Sequence, residues 1–413
     1  MDPLDARLVA APDLALSTLA FALCGVALGT VSGLTPGLHA NNFALLLASA
    51  APVVPGPPTS VCAAILAAGV VHTFLDVVPA LALGVPDAAM AATALPGHRL
   101  VLAGRGREAL RLSAVGSVAA VALSVPLALP VTWLVTAVYA DVRAHLPLVL
   151  AAVVAFVVLT EPSRRAAVAG VVAFGLSAAL GAATLDLSPA APLPAGGVLA
   201  PLFAGLFGAP VLLDALGGGG VPPQDDPHLA LPRRDVGLTA LAGSASGAVV
   251  GYLPGVSAAV ASVLSLPLVP GRSGARGFLI ATSGANTANT VFALFALVAL
   301  GVPRTGVMVA LERVEPAPPL PPLLATIALA ALVGFVLVVA VGDAYLRAAG
   351  DLDTDALCVG VLALLVCLSG LFAGPVGIPV FAVATLVGLV PPRLGTRRIH
   401  LVGVLIGPLA LGI

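Results

Sequence analysis

Three groups of polar residues interrupt an otherwise apolar chain of 413 residues. The first follows Pro36-Gly37, where Thr35, His39, Asn41 and Asn42 flank the start of a new apolar run. Proline removes a backbone donor and glycine relaxes the chain, so this pair predicts a broken helix and a fresh helix start. Pro254-Gly255 leads in the same way to Ser257 and Ser262. A helix start offers unpaired N–H groups and partial positive charge, which suit a carboxylate or phosphate. Two such ends facing each other near the middle of a bilayer would form an anion site without a buried arginine.

The other two groups lie inside long apolar segments. His72 and Asp76 are four residues apart on one helical face, with Thr73 beside it. That pairing suits proton coupling or coordination of a cation such as Na+, and a packing ion pair is the alternative. Ser283, Asn286, Thr287, Asn289 and Thr290 keep the chain polar for one and a half turns. Polar side chains in lipid are costly and face a cavity or a partner helix. The run therefore points either to substrate contact or to helix–helix hydrogen bonding.

The elements that position these residues are membrane helices. The chain is 60% hydrophobic and 9% charged, with a mean hydropathy of +1.13. Apolar stretches of helical rather than alternating pattern recur throughout, predicting an all-α polytopic membrane protein. Fourteen apolar segments can be marked: about 13–33, 38–54, 60–84, 109–139, 145–160, 164–184 and 196–216, then 235–252, 257–270, 277–300, 317–342, 353–371, 376–391 and 399–413. Those at 38–54 and 257–270 are short enough to be re-entrant. A Gly/Pro-rich polar linker at 217–235 divides a first repeat, 1–216, from a second, 236–413.

The repeat is visible in residues. Gly25, Gly29, Gly33, Pro36 and Gly37 recur as Gly243, Gly247, Gly251, Pro254 and Gly255. Glycines four apart line one helix face and let a second backbone approach. His72-Thr73 with Gly84-Val85-Pro86 matches Asn289-Thr290 with Gly301-Val302-Pro303. Seven crossings per unit would make the repeats inverted, and matched helix breaks in inverted repeats point to a transporter's binding site. All 18 basic residues are arginine. Alternating loops place all of them except Arg7, Arg143, Arg304 and Arg313 on the cytoplasmic side of the plasma membrane.

Other chemistry has little support. Cys24, Cys62, Cys358 and Cys367 read as small buried residues, with no Cys-x-x-Cys pair. Glu161 and Asp214 read as solvated segment ends, and His98, His145, His228 and His400 as surface residues. The acidic start, without a basic region, does not read as a cleavable signal peptide. A membrane enzyme acting on a lipid phosphate would use His39 or His72 as acid–base, but no P-loop, nucleophile motif or metal-ligand cluster accompanies them. No cofactor is expected. Membrane lipids and a small anion or lipid phosphate are the expected partners, a homo-oligomer is allowed, and a net charge of −1 gives no support for nucleic-acid binding.

In "GLTPGLHANN", "GYLPGVSAAVAS", "SGANTANT" with its downstream "GVP", and "GLVPPRLGTRRIHLVGVLIGPL", the chain resembles the TctA-like permeases, the large membrane subunit of tripartite tricarboxylate transporters. It is similar to a stand-alone archaeal-type branch of that family. The resemblance implies secondary active uptake of carboxylates driven by a cation gradient, with a binding protein and a small membrane subunit as partners. "LPGVSAAVAS" also resembles the PGVSGG signature of the polyprenyl-phosphate transporter family, which would imply recycling of a lipid carrier.

Overall fold

A computed structural model describes residues 12–36, 38–84, 94–192, 197–217, 220–229, 231–253, 256, 258–315 and 319–412, without the side chains of Asn42, Leu45, Ala94 and Leu95. The described residues form helices and no strand. The first half contains α1 (Pro12–Leu34), α2 (Ala40–Ala50), α3 (Pro58–Leu75), α4 (Val77–Leu83), α5 (Ala94–Leu102), α6 (Gly106–Ala144), α7 (Leu146–Leu159), α8 (Arg164–Thr184), α9 (Leu199–Phe203) and α10 (Ala209–Ala215). The second contains α11 (Arg233–Tyr252), α12 (Ala258–Ser265), α13 (Gly274–Leu300), α14 (Gly306–Val314), α15 (Leu320–Asp351), α16 (Thr354–Gly388), α17 (Val390–Leu394) and α18 (Gly403–Leu411).

The glycine ladders explain the central packing. A Cβ on Gly25 would collide with the Ala64 carbonyl, one on Gly29 would lie 2.5 Å from the Ala68 oxygen, and one on Gly33 3.1 Å from that of His72. On α11, Gly243, Gly247 and Gly251 meet the carbonyls of Ala281, Ala285 and Asn289. Each pair of partners, 64 and 281, 68 and 285, 72 and 289, is 217 residues apart. The duplication therefore extends from the sequence to the contact: α1 lies on α3 as α11 lies on α13. Larger residues here would force the helices apart and lose the dispersion contacts that hold helices together in lipid. Of the long apolar helices, the one running from Pro58 to Leu83 and that from Gly271 to Leu300 are the most enclosed, at 94% and 78% buried.

The structure departs from the sequence reading in several places. Among the described residues, seven helices are long and apolar enough to cross a membrane. Segments 38–54 and 257–270 are reduced to α2, of 11 residues, and α12, of 8 residues. At 1.5 Å per residue these span about 16 and 12 Å, well under a hydrocarbon core of about 30 Å. Segments 353–371 and 376–391 join in α16, which turns sharply at Gly374 (φ 57°, ψ −151°), just before Pro375. The stretches between the segments 60–84 and 109–139, and between 277–300 and 317–342, contain α5 and α14.

Glu161 and His400 are also not solvated. Each side chain is 1% exposed, and one Glu161 oxygen accepts from Arg397 Nε at 2.7 Å and pairs with His400 Nε2 at 2.8 Å. Burial raises the Glu161 pKa, but hydrogen bonds from Arg397 and His400 outweigh it and hold the carboxyl below its ordinary range. At the start of α6, Glu108 binds Arg105 and Arg276, while Arg111 binds Asp343 at 3.0 and 3.2 Å. Arg304 lies near the other end of α6, against Tyr139.

Candidate functional site

The starts of α2 and α12 open onto one cavity of about 150 Å3. His39, Ala40 and Asn41 reach it from the start of α2, and Val256 and Ala258 from the start of α12. Thr73 and Asp76 come from the end of α3, and Asn286, Asn289 and Thr290 from the middle of α13. Arg304 and Thr305 complete the polar lining, with Leu199, Phe203, Val307 and Leu405 among the apolar part. Pro36, buried beside the first break, is not among the lining residues. Gly37, Pro254, Gly255 and Ser257 lie outside the described residues, as does the Asn42 side chain.

Local chemistry fixes these positions. His39 is the N-cap of α2: its Nδ1 accepts from the Asn41 N–H at 3.1 Å, leaving the ring proton for Nε2. Its ring stacks on Phe203 with centroids 5.3 Å apart. The Asn41 side-chain oxygen accepts from the Gly306 N–H at 2.9 Å. Thr305 caps the same helix, its hydroxyl accepting from the Met308 N–H at 3.3 Å. The starts of α2 and α14 thus meet at the cavity.

Across from them, the Asn286 amide donates to Asp76 Oδ2 at 2.8 Å, and the Thr73 and Thr287 hydroxyls are 3.3 Å apart. Asp76 sits at the junction of α3 and α4, and its backbone N–H bonds the His72 carbonyl. The residue is 5% exposed. A buried carboxylate beside an amide can bind a proton or a dehydrated cation.

Arg304 is the component that sequence reasoning missed. It was assigned to an external loop, yet it lines the cavity, with its guanidinium 5.2 Å above the Tyr139 ring and Nη2 donating to the Tyr139 hydroxyl. Its Nε is buried and has no hydrogen-bond partner among the described residues. The signal available was its position one residue after the repeated Gly-Val-Pro.

Several candidates lie elsewhere. His72 turns toward α1, where Nδ1 and the Ser32 hydroxyl are 3.0 Å apart. Ser283 lies in the α6–α13 interface, 2.8 Å from the Ser113 hydroxyl. Thr35 donates back to the Val31 carbonyl at 2.7 Å, and Ser262 to that of Ala258 at 3.1 Å. Thr287 contacts Thr73 but is not among the lining residues.

An uncharacterized protein of the archaeon Methanocaldococcus jannaschii is 28% identical over 302 residues, covering 71% of this chain and 72% of that protein. No solved structure matches the chain. The profile of the tripartite tricarboxylate transporter TctA family matches residues 19–403. With that match over nearly its full length, the chain belongs to the TctA family, a transporter family, and is a multi-pass α-helical membrane protein.

Proposed function

We propose that the chain is a secondary transporter moving a carboxylate-type anion by alternating access, with the central cavity as its substrate site. The observation that carries this reading is Arg304, a cation lining the cavity with a buried Nε donor that lacks an acceptor among the described residues. A buried unsatisfied donor costs about 1–3 kcal/mol, which an incoming carboxylate oxygen would relieve. The N-termini of α2 and α14 add partial positive charge on the same side. His39 Nε2–H and the Asn289 and Thr290 side chains supply further polar contacts.

Asp76, with Thr73, Asn286 and Thr290 beside it, is the proposed site for the coupling Na+ or H+. Opposite charges in one small cavity favour each other's binding, which is the thermodynamic basis of coupling. A cavity of about 150 Å3 suits a small carboxylate better than a carrier with an isoprenoid tail, so the lipid-carrier reading is the less favoured. The repeated contacts 217 residues apart support two duplicated halves exchanging conformations. Family membership supports a binding protein and a small membrane subunit as partners.

Reconstitution in liposomes with radiolabelled citrate tests the reading. Uptake is expected to follow an imposed Na+ or proton gradient, and Asp76→Asn is expected to abolish that dependence while citrate exchange persists. Absence of uptake with citrate, succinate and malate, with or without a binding protein, would sink it.

A further inference from the structure

A second cavity lies along the same elements as the first. It holds about 540 Å3 beside α5 and α12, and its lining includes Arg99, Asp214, Val263, Phe278, Arg398 and Ile399. Three elements line both cavities. α12 gives Ala258 to the central one and Val263 to the second, α13 gives Asn286 and Phe278, and the segment ending in α18 gives Leu405 and Ile399. At 1.5 Å per residue, the linings are separated by about 8 Å along α12 and 12 Å along α13. Val260, Ala285, Val402 and Ile406 belong to one apolar cluster on these elements. Two cavities, each with charged side chains in its lining, are thus strung along shared walls, with an apolar cluster on those walls.

The cations of the second cavity are not equally committed. Arg397 makes three side-chain hydrogen bonds, donating to Glu161, to the Val157 carbonyl and to Thr160. The Arg398 side chain is 9% exposed, yet among the described residues it makes one hydrogen bond, from Nη2 to Asp214 Oδ2 at 3.0 Å. Asp214 is 52% exposed, so water can replace it at little cost. Arg99 is exposed, and its guanidinium makes no hydrogen bond among the described residues. A guanidinium offers five donors in a fork that matches a carboxylate.

We propose that this cavity is a second anion station on the translocation path, where Arg398 and Arg99 take an organic carboxylate between the central cavity and the cytoplasm. The inference rests on the transport reading above. Being more than three times the volume of the central cavity, the station collects anions and leaves selection to the narrower site. Asp214 holds Arg398 when no anion is present and yields it to an arriving carboxylate.

The test uses the full chain without its four cysteines, purified in detergent, carrying either Leu266→Cys in the second cavity or Leu199→Cys in the central one. Maleimide labelling is measured against added citrate and, separately, inorganic phosphate. Citrate is expected to protect both positions. Combining Arg398→Gln with Arg99→Gln is expected to raise the half-protecting citrate concentration at Leu266→Cys by about tenfold or more, the effect of losing about 1.4 kcal/mol of binding. Protection of Leu199→Cys should be unchanged, which also certifies the fold, and Arg398→Lys should recover part of the loss. Citrate protection at Leu199→Cys alone, or protection at Leu266→Cys that ignores the arginine substitutions, overturns the second station and leaves the central site standing. Equal protection of Leu266→Cys by phosphate overturns its assignment to carboxylates. Absence of protection at both positions overturns the station and the central site together.

Discussion

The contact between α2 and α14 is shut, whereas the region between α5 and α12 holds a cavity of about 540 Å3. The two regions are built from corresponding parts. α2 and α12 follow the two Pro-Gly breaks, and α5 and α14 each lie between a central helix and the next long one. On the shut side, a Cβ on Gly306 would lie 2.5 Å from Asn41 Cβ, and the Asn41 amide oxygen caps the start of α14. On the open side, arginines and carboxylates line the gap. Duplication thus sets which elements oppose each other, while individual side chains decide whether they close. An alternating-access cycle would exchange these two conditions.

The largest expected effect comes from the cation at the shut contact. Arg304→Gln removes about 3 kcal/mol of charge-assisted binding, and citrate uptake at subsaturating concentration should fall about 100-fold. Arg304→Lys keeps the charge but loses the fork, and should fall by about tenfold. Uptake within twofold of wild type for Arg304→Gln would break the comparison, because the cation would then matter on neither side.

A smaller effect is expected from wedging the shut contact open. Gly306→Val overpacks against Asn41 at a cost of about 1–3 kcal/mol. It should speed labelling of a cysteine placed at Ala40 from the side of α14, while a cysteine at Leu266 is less affected. Slower labelling at Ala40 would mean that the contact does not limit access.

The smallest expected effect belongs to the open side and is pH-dependent. Glu161 has a lowered pKa in the folded state, so its stabilisation is present above its unfolded value of about 4.3 and is lost as pH falls through the lower folded value. Glu161→Gln should lower the melting temperature in detergent at pH 7, with a cost of about 1 kcal/mol, because Arg397 is a third exposed and the glutamine oxygen can still accept a hydrogen bond. The gap from wild type should narrow as pH drops below about 5. A gap that widens on acidification would refute this assignment.

Much of the fold was legible because the bilayer imposes strong rules. Long apolar runs become helices since every backbone polar group must be satisfied internally. The glycine ladders announced close helix pairs, and those pairs formed, because a missing Cβ is useful mainly where another backbone approaches. The helix breaks were legible through Pro and Gly, and the helix starts that follow them reach the same cavity. Span count was less so: residues 38–54 are apolar enough to suggest a crossing, but Pro52, Pro55, Pro57 and Pro58 cut the helix short.

The facing of individual side chains was not legible. A helix apolar all round carries no amphipathic signal to say which side meets a cavity. Hence Asn286, Asn289 and Thr290 reach the cavity while Ser283, less than one turn away, bonds Ser113 in an interface. His72 and Asp76 share a helical face by spacing, yet Ser32 engages one and Asn286 the other. Glu161 and His400 looked like loop-side residues because nothing local records that positions 161 and 400 meet. The sequence by itself determined the membrane class, the duplicated unit, its helix breaks and its glycine-lined helix pairs, all of which follow from local composition and spacing. Only the tertiary structure decided that Arg304 enters the cavity and that one contact is closed and the other open, since these depend on contacts between residues far apart in the chain.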